Sequence, residues 1–202
     1  MEDRRRVRNP SFPEFGSHPK SFWIDCPHEW HEKCMRHAAI RQARDEKVGT
    51  AWRTGMKHNP HYDGLMSEMV TGHVLGLPVD FNSTRRDFKK DFVSRFGMRL
   101  DAKSTSVLNI PAVRVIDVDP QPCDIYVWLH NERDDPHDRH RITSGEMQGW
   151  STWEEFREYG RPRTMRSGPC LLMPRRKLRD PTRLSLFLQR KTEKLVQQTF
   201  PW

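Results

Sequence analysis

Two side chains in the run Phe96-Gly97-Met98-Arg99-Leu100-Asp101-Ala102-Lys103 could do chemistry together. The run alternates: Phe96, Met98, Leu100 and Ala102 share one face of a strand, and Gly97, Arg99, Asp101 and Lys103 share the other. A strand therefore sets the Asp101 carboxylate beside the Lys103 ammonium. Hydrolysis of a phosphodiester uses such a pair. The carboxylate binds a divalent cation, and the amine orients or helps deprotonate the attacking water and offsets developing negative charge. Asp-x-Lys also occurs at Asp45/Lys47 and Asp87/Lys89, but in charged stretches without apolar alternation. A surface ion pair on an exposed sheet face is the plain alternative, worth about 0.2–1 kcal/mol.

One carboxylate holds Mg²⁺ weakly, so partners are needed. Asp91 precedes the apolar pair Phe92-Val93, and a strand–turn–strand path would return it beside Asp101. Asp80 and Asp87 compete for that role. Glu68 falls on a short helix near Gly72, whose missing side chain would let the helix approach the sheet closely. Oxygen from Glu68, Asp91 and Asp101 is a hard donor set suited to Mg²⁺ or Mn²⁺. Ser104 and Thr105 follow Lys103 and could hydrogen-bond phosphate or bound water, though short hydroxyl residues also form turns. Gln148 is a weaker candidate for the same neighbourhood.

The elements that must position these groups can be read along the chain. Residues 1–25 read as an irregular arm. A helical period runs from His28 to about Gly55, through Trp30, Cys34, Ala38, Ile40, Val48 and Trp52, and Asn59-Pro60 breaks it. A second helix fits Gly64 to Leu75, with Asp63 as N-cap and Gly76 as C-cap. Strands are expected at Phe92-Val93, Phe96–Ala102, Val113–Val118, Cys123–Leu129 (the central one), Arg141–Thr143 and Cys170–Met173. Asn131–His140 reads as an exposed loop, and Ser151-Thr152-Trp153-Glu154 as a capping box opening a helix to about Tyr159. This order predicts an α/β or α+β core of about 100 residues from His61 to Tyr159, flanked by arms.

The order Glu68 on a helix, Asp91 before a short strand and Asp101-Ala102-Lys103 on the next strand resembles the PD-(D/E)XK nuclease superfamily, in its small phage and mobile-element type. Further similar pieces are Ser67-Glu68…Leu75-Gly76, Tyr126-Val127-Trp128-Leu129, Gly149-Trp150 before a helix, and Met173-Pro174…Leu178. The proline of the superfamily name is absent, since Lys90 precedes Asp91, and the acid of the Asp-x-Lys element is Asp rather than the commoner Glu. The resemblance implies a restriction-endonuclease-like αβββαβ core over 61–180; spacing and charge add an N-terminal helical segment over 26–60 and a basic helix or tail over 181–202. The resemblance also implies Mg²⁺-dependent endonuclease action on DNA in a host cytoplasm. Asp91, Asp101 and the Ala102 carbonyl would hold the ion, Glu68 would bind it directly or through water, and Lys103 would position the nucleophile. A non-cleaving nucleic-acid-binding or assembly protein on the same fold is the alternative.

Charge distribution points to a polyanionic partner. The 202 residues carry 35 Lys and Arg against 27 Asp and Glu. From Arg161 to Trp202 there are 11 basic residues and two acids, Asp180 and Glu193, so the whole excess lies there. Such a segment attracts nucleic acid through counterion release, with Arg175, Arg176, Lys177, Arg179 and Arg183 as the expected contacts. Its helical stretch, Leu184–Thr199, could also mediate a homodimer. Mean hydropathy is −0.89, and no run nears the ~20 apolar residues of a membrane span. Four cysteines form no dense disulfide framework, which fits a reduced compartment. Cys26-x-His28-x₂-His31-x₂-Cys34 offers zinc-type ligands, but the spacing is cramped for one tetrahedral site and Zn²⁺ is not expected. P-loop, GxGxxG and GxSxG motifs are lacking.

Overall fold

The computed structural model describes residues 20–47, 59–81, 91–94, 97–104, 112–114, 123–135, 137–138, 140–165 and 168–190. Asp87, Thr105, Phe96 and 191–202 lie outside these, as do most of the expected N-terminal arm and of the strand Val113–Val118.

The chain is mixed α and β. Strand β1 (Phe22–Asp25) is followed by helices α1 (His28–Lys47) and α2 (Pro60–Leu75). Then come β2 (Phe92–Val93), β3 (Arg99–Ser104), β4 (Ala112–Arg114), β5 (Ile125–Glu132), β6 (Ser144–Thr152), α3 (Trp153–Tyr159), β7 (Arg161–Met165) and β8 (Gly168–Leu172). Two 3-10 turns, Arg175–Lys177 and Pro181–Arg183, lead into a last helix over 184–190. Among the described residues no helix is long and apolar enough to cross a membrane.

Two sheets form. The larger has the order β1-β6-β5-β3-β2, with β3 parallel to β5 and all other neighbours antiparallel. The smaller has the order β4-β8-β7. The expected last strand therefore exists, but β8 joins this second sheet instead of extending the first. Strand β6 is a correction. Its sequence, Ser144–Thr152, mixes Gly145, Gly149, Glu146 and Gln148 with few β-formers, so pattern reading placed only a short strand at Arg141–Thr143. It forms because β5 and β1 template it from both sides. Strand β1 likewise replaces the end of the expected irregular arm, and Asn131 belongs to β5 and is buried rather than lying in an exposed loop.

Helix α2 is the hub. Asn59 caps it, its side-chain oxygen accepting from the N–H groups of His61 (3.0 Å) and Tyr62 (3.3 Å), and Pro60 opens the first turn. The cap is thus Asn59, not Asp63: Asp63 lies inside the helix, buried and ion-paired with Arg133. Gly76 ends the helix in the left-handed conformation, φ 64°. Helix α1 packs on one side of α2, and β3, β5 and β6 on the other. Leu65, Met66 and Val70 meet Leu100, Ala102, Ile125, Val127 and Leu129 in one core, joined by Cys34 and Ala38 of α1. The opposite face of the sheet carries Tyr126 and Trp128 under Trp153, Phe156, Met173 and Leu178. The capping box that opens α3 is Thr152 with Glu155, one residue later than the sequence pattern placed it.

Two glycines of α2 differ in their surroundings. A Cβ on Gly72 would sit 2.8 Å from the Leu77 carbonyl oxygen and 2.9 Å from a Val79 methyl, while a Cβ on Gly64 meets nothing within 4 Å. Gly72→Ala is expected to cost about 1–3 kcal/mol. Gly64→Ala is expected to stabilise by about 0.5–1 kcal/mol, because alanine is the better helix former. Denaturant melts of both variants check the opposite signs.

Candidate active site

Two of the candidate acids meet at the β2–β3 edge, and the third, Glu68, stands midway along α2, which packs against β3. In the β2–β3 ladder Phe92 faces Leu100 and Val93 faces Arg99, so continuing the register sets Asp91 opposite Asp101. The Asp91 amide donates to the Leu100 carbonyl (2.9 Å). The Asp91 carboxylate accepts from the Ala102 amide at 2.7 Å, along the edge of β3 that β2 pairs with. In a strand the N–H and C=O of one residue point to the same side, so the Ala102 carbonyl lies on this edge too. Strand alternation also holds. Leu100 and Ala102 belong to the core with α2, while Asp101 and Lys103 are in register with Tyr126 and Trp128 on the other side. The Lys103 ammonium is 2.7 Å from an Asp101 oxygen. Asp101 is only 6 % exposed, which distinguishes this pair from a surface ion pair.

Glu68, also 6 % exposed, projects from α2. Its oxygen is 3.2 Å from the guanidinium of Arg41 on α1. Burial raises the Glu68 pKa; Arg41 opposes the rise, and the charges of Asp101 and Asp80 add to it. Burial also drives Asp91 well above the ordinary carboxylate value, reinforced by the charges of Asp101 and Glu68 and by a hydrogen bond with Asp101, and opposed by Lys103. These shifts have one cause: Glu68, Asp91 and Asp101 are poorly hydrated and feel one another's charge, with Arg41 opposing the rise at Glu68 and Lys103 opposing it at Asp91.

That donor set fits a hard divalent cation. It consists of carboxylate oxygens with the Ala102 carbonyl edge nearby, and it carries more negative charge than its resident cations answer. Among the described residues no three Asp, Glu, His or Cys side chains converge into a metal cage as they stand. Glu68 is turned to Arg41, Asp101 to Lys103 and Asp91 to the Ala102 amide.

The other candidates are distributed as follows. Asp80 is exposed after α2 and is felt electrostatically by Glu68. Ser104 ends β3, half-buried. Gln148 is buried in β6, where its amide donates to Glu146 (3.3 Å). Arg175 is corrected: it is 2 % exposed, packed into the 3-10 turn, and presents no surface to a nucleic acid. Arg179 is corrected in part. Its guanidinium is held by Glu155 (2.7 Å) and lies over the rings of Trp150 and Phe187, so it ties the C-terminal region to β6. Arg176, Lys177 and Arg183 are exposed, with Lys177 over the Tyr159 ring. In the Cys26–Cys34 segment both thiols are buried, and burial pushes each pKa up to about 12. His28 faces Glu32, and His31 bonds the Tyr62 hydroxyl at 2.9 Å.

Arg41 is the residue that sequence reading missed. Its signal was present: it continues the buried stripe of Cys34 and Ala38 at helical spacing, and a cation on such a stripe needs a buried anion. Comparison with family models, with curated proteins and with solved structures gives no match.

The raised pKa values fix the sign of a pH effect. An acid whose folded pKa lies above its unfolded value gains protons on folding, so its contribution favours the fold at low pH and is lost as pH rises through the folded pKa. Asp91→Asn keeps an oxygen for the Ala102 amide and removes the charge. It is expected to raise Tm at neutral pH without metal and to flatten the fall of Tm as pH rises above the ordinary carboxylate range. Thermal melts in EDTA check this; equal loss of Tm at every pH would contradict it.

Proposed function

We propose that the protein is a divalent-metal-dependent nuclease that hydrolyses phosphodiester bonds of DNA. The observation that carries the reading is Asp91 opposite Asp101 at the β2–β3 edge, with Lys103 2.7 Å from Asp101 and the buried Glu68 of α2 close enough for their charges to push Glu68 and Asp91 toward protonation. An ordinary surface ion pair does not gather three desolvated carboxylates. The αβββαβ arrangement implied by the sequence resemblance is part of this proposal. Helix α2, the β2–β3 edge and the parallel partner β5 agree with it, whereas β8 in the second sheet departs from it.

Asp91, Asp101 and the Ala102 carbonyl would hold Mg²⁺ or Mn²⁺, with Glu68 as a further ligand directly or through water. When bound, the ion supplies Lewis-acid polarisation of the phosphate and a more acidic water. The chain's own residues do the rest. Lys103, steered by Asp101, is placed to orient the attacking water and to balance charge on the phosphorane-like transition state. Asp91 fixes the β3 edge by accepting from the Ala102 amide, so the Ala102 carbonyl and the Asp101 side chain keep their relative positions. Tyr126 and Trp128, beside Asp101 and Lys103 on β5, wall off one side of the pair from water. Arg176, Lys177 and Arg183 supply exposed positive charge for backbone contacts.

A second reading, a nucleic-acid-binding module that does not cleave, is favoured by one observation. Glu68 and Asp101 each already face a protein cation, as purely structural ion pairs would.

Supercoiled plasmid separates the two. The nuclease reading expects nicking or linearisation in Mg²⁺ and none in EDTA. It expects a loss of about 10²–10³-fold for Lys103→Ala and for Asp101→Asn with circular dichroism unchanged. Binding without cleavage under all conditions supports the second reading. Replacing Arg176, Lys177 and Arg183 by Gln is expected to weaken binding evenly across sequences and to lower the salt slope of log K by about 1 for each cation that touches a phosphate. An unchanged slope would remove these residues from the interface.

A further inference from the structure

We propose that Arg41 is a resident counter-ion that competes with a divalent cation for Glu68, so that loading of the metal loosens the hold on this arginine. The inference rests on the metal-site reading above and adds to it a positioning residue from α1, outside the segment that the sequence resemblance covers.

Arg41 lies on the inward stripe of α1 with Cys34 and Ala38, and its guanidinium reaches the Glu68 carboxylate at 3.2 Å. The Glu68 side chain is 8 % exposed and that of Arg41 21 %. This is a shielded pair, in which the attraction between the charges is much stronger than at a surface. The other two acids are engaged differently. Asp101 faces Lys103, which moves with it on the same strand. Asp91 accepts a hydrogen bond from the Ala102 backbone amide. Glu68 alone of the three is held by a side chain from another helix, on a long and flexible stem.

A cation and a guanidinium compete for the same anionic oxygens. A metal arriving beside Asp91 and Asp101 raises the positive charge near Arg41, and while Glu68 Oε1 receives the guanidinium only Oε2 is left for the ion, so each cation weakens the hold of the other. The two equilibria are linked, and linkage is reciprocal. If Arg41 weakens metal binding, the metal weakens the hold on Arg41 by the same factor. The freed guanidinium would remain beside a site that handles phosphate, where it is the side chain best suited to a planar two-point contact.

Mn²⁺ binding to the full chain, read from loss of the free-ion electron paramagnetic resonance signal without nucleic acid, tests this independently of activity. Arg41→Gln is expected to bind Mn²⁺ at least about 5-fold more tightly than the unsubstituted protein. Arg41→Lys, which keeps the charge, is expected to show a smaller gain. In a Glu68→Gln background the effect of Arg41→Gln should vanish. Should Arg41→Gln fail to fold, the unsubstituted protein still reports: modification of Arg41 by phenylglyoxal, followed by mass spectrometry, is expected to speed up on adding Mn²⁺. Unchanged or weaker Mn²⁺ binding in Arg41→Gln, or Arg41 modification indifferent to Mn²⁺, overturns the proposal. If Asp101→Asn then still loses Mn²⁺, the metal-site reading survives that failure. If none of the proteins binds Mn²⁺, both fall together.

Discussion

A carboxylate can be kept from water only if something answers its charge, and three of them at one corner make that requirement severe. In this protein the answers come from three levels of structure. Lys103 is supplied by strand alternation, two residues from Asp101. The Ala102 amide is supplied by the edge of β3 beside β2. Arg41 is supplied by the packing of α1 on α2. Much of the fold can be understood as the scaffold that holds these answers in place. Helix α2 is clamped between α1 and the sheet, capped firmly at both ends, and further fixed by Asn131, whose amide reaches the Asp63 carbonyl and the Ser67 hydroxyl at 3.1 Å each.

The two faces of the sheet divide the labour. The face against α2 is aliphatic and continuous with the core that seats Glu68. The opposite face is aromatic, with Tyr126, Trp128, Trp153 and Phe156 packed ring against ring. Asp101 and Lys103 sit beside that aromatic face, with Asp101 buried and Lys103 partly exposed. Such surroundings strengthen the interaction between the two charges.

The legibility of these features in the sequence follows from the physics of each. The Asp101/Lys103 pairing was legible because period-two alternation is local, and β5 because Ile125–Leu129 is a dense run of β-formers. Helix α2 was legible at its Gly76 end, where backbone conformation demands glycine, but misread at its start. Asp63 looks like a cap by type, yet Asn59-Pro60 supplies one earlier. Strand β6 was hidden because tertiary pairing overrides weak propensity. Its irregular register, with Trp128 opposite Gly149 but Leu129 opposite Met147, also hides the alternation that would have marked it. Arg41 was hidden for another reason. Its partner is 27 residues away on a different helix, and no local pattern names the anion that a half-buried arginine meets. Arg175 and Arg179 show the converse: a count of positive charge does not distinguish a guanidinium facing solvent from one built into the protein.

Strand β1 has a consequence for how the chain is made. Phe22 lies opposite Met147 and Asp25 opposite Ser144, so an early segment pairs with one synthesised much later. During translation β1 stays an unmatched edge while α1, α2, β3 and β5 emerge, and only the arrival of β6 closes it. Sequence separation of this kind slows the search for the native topology and leaves nascent intermediates open to self-association. Yield from cells should therefore respond more strongly to growth temperature and to holdase capacity than the modest size of the chain alone would indicate.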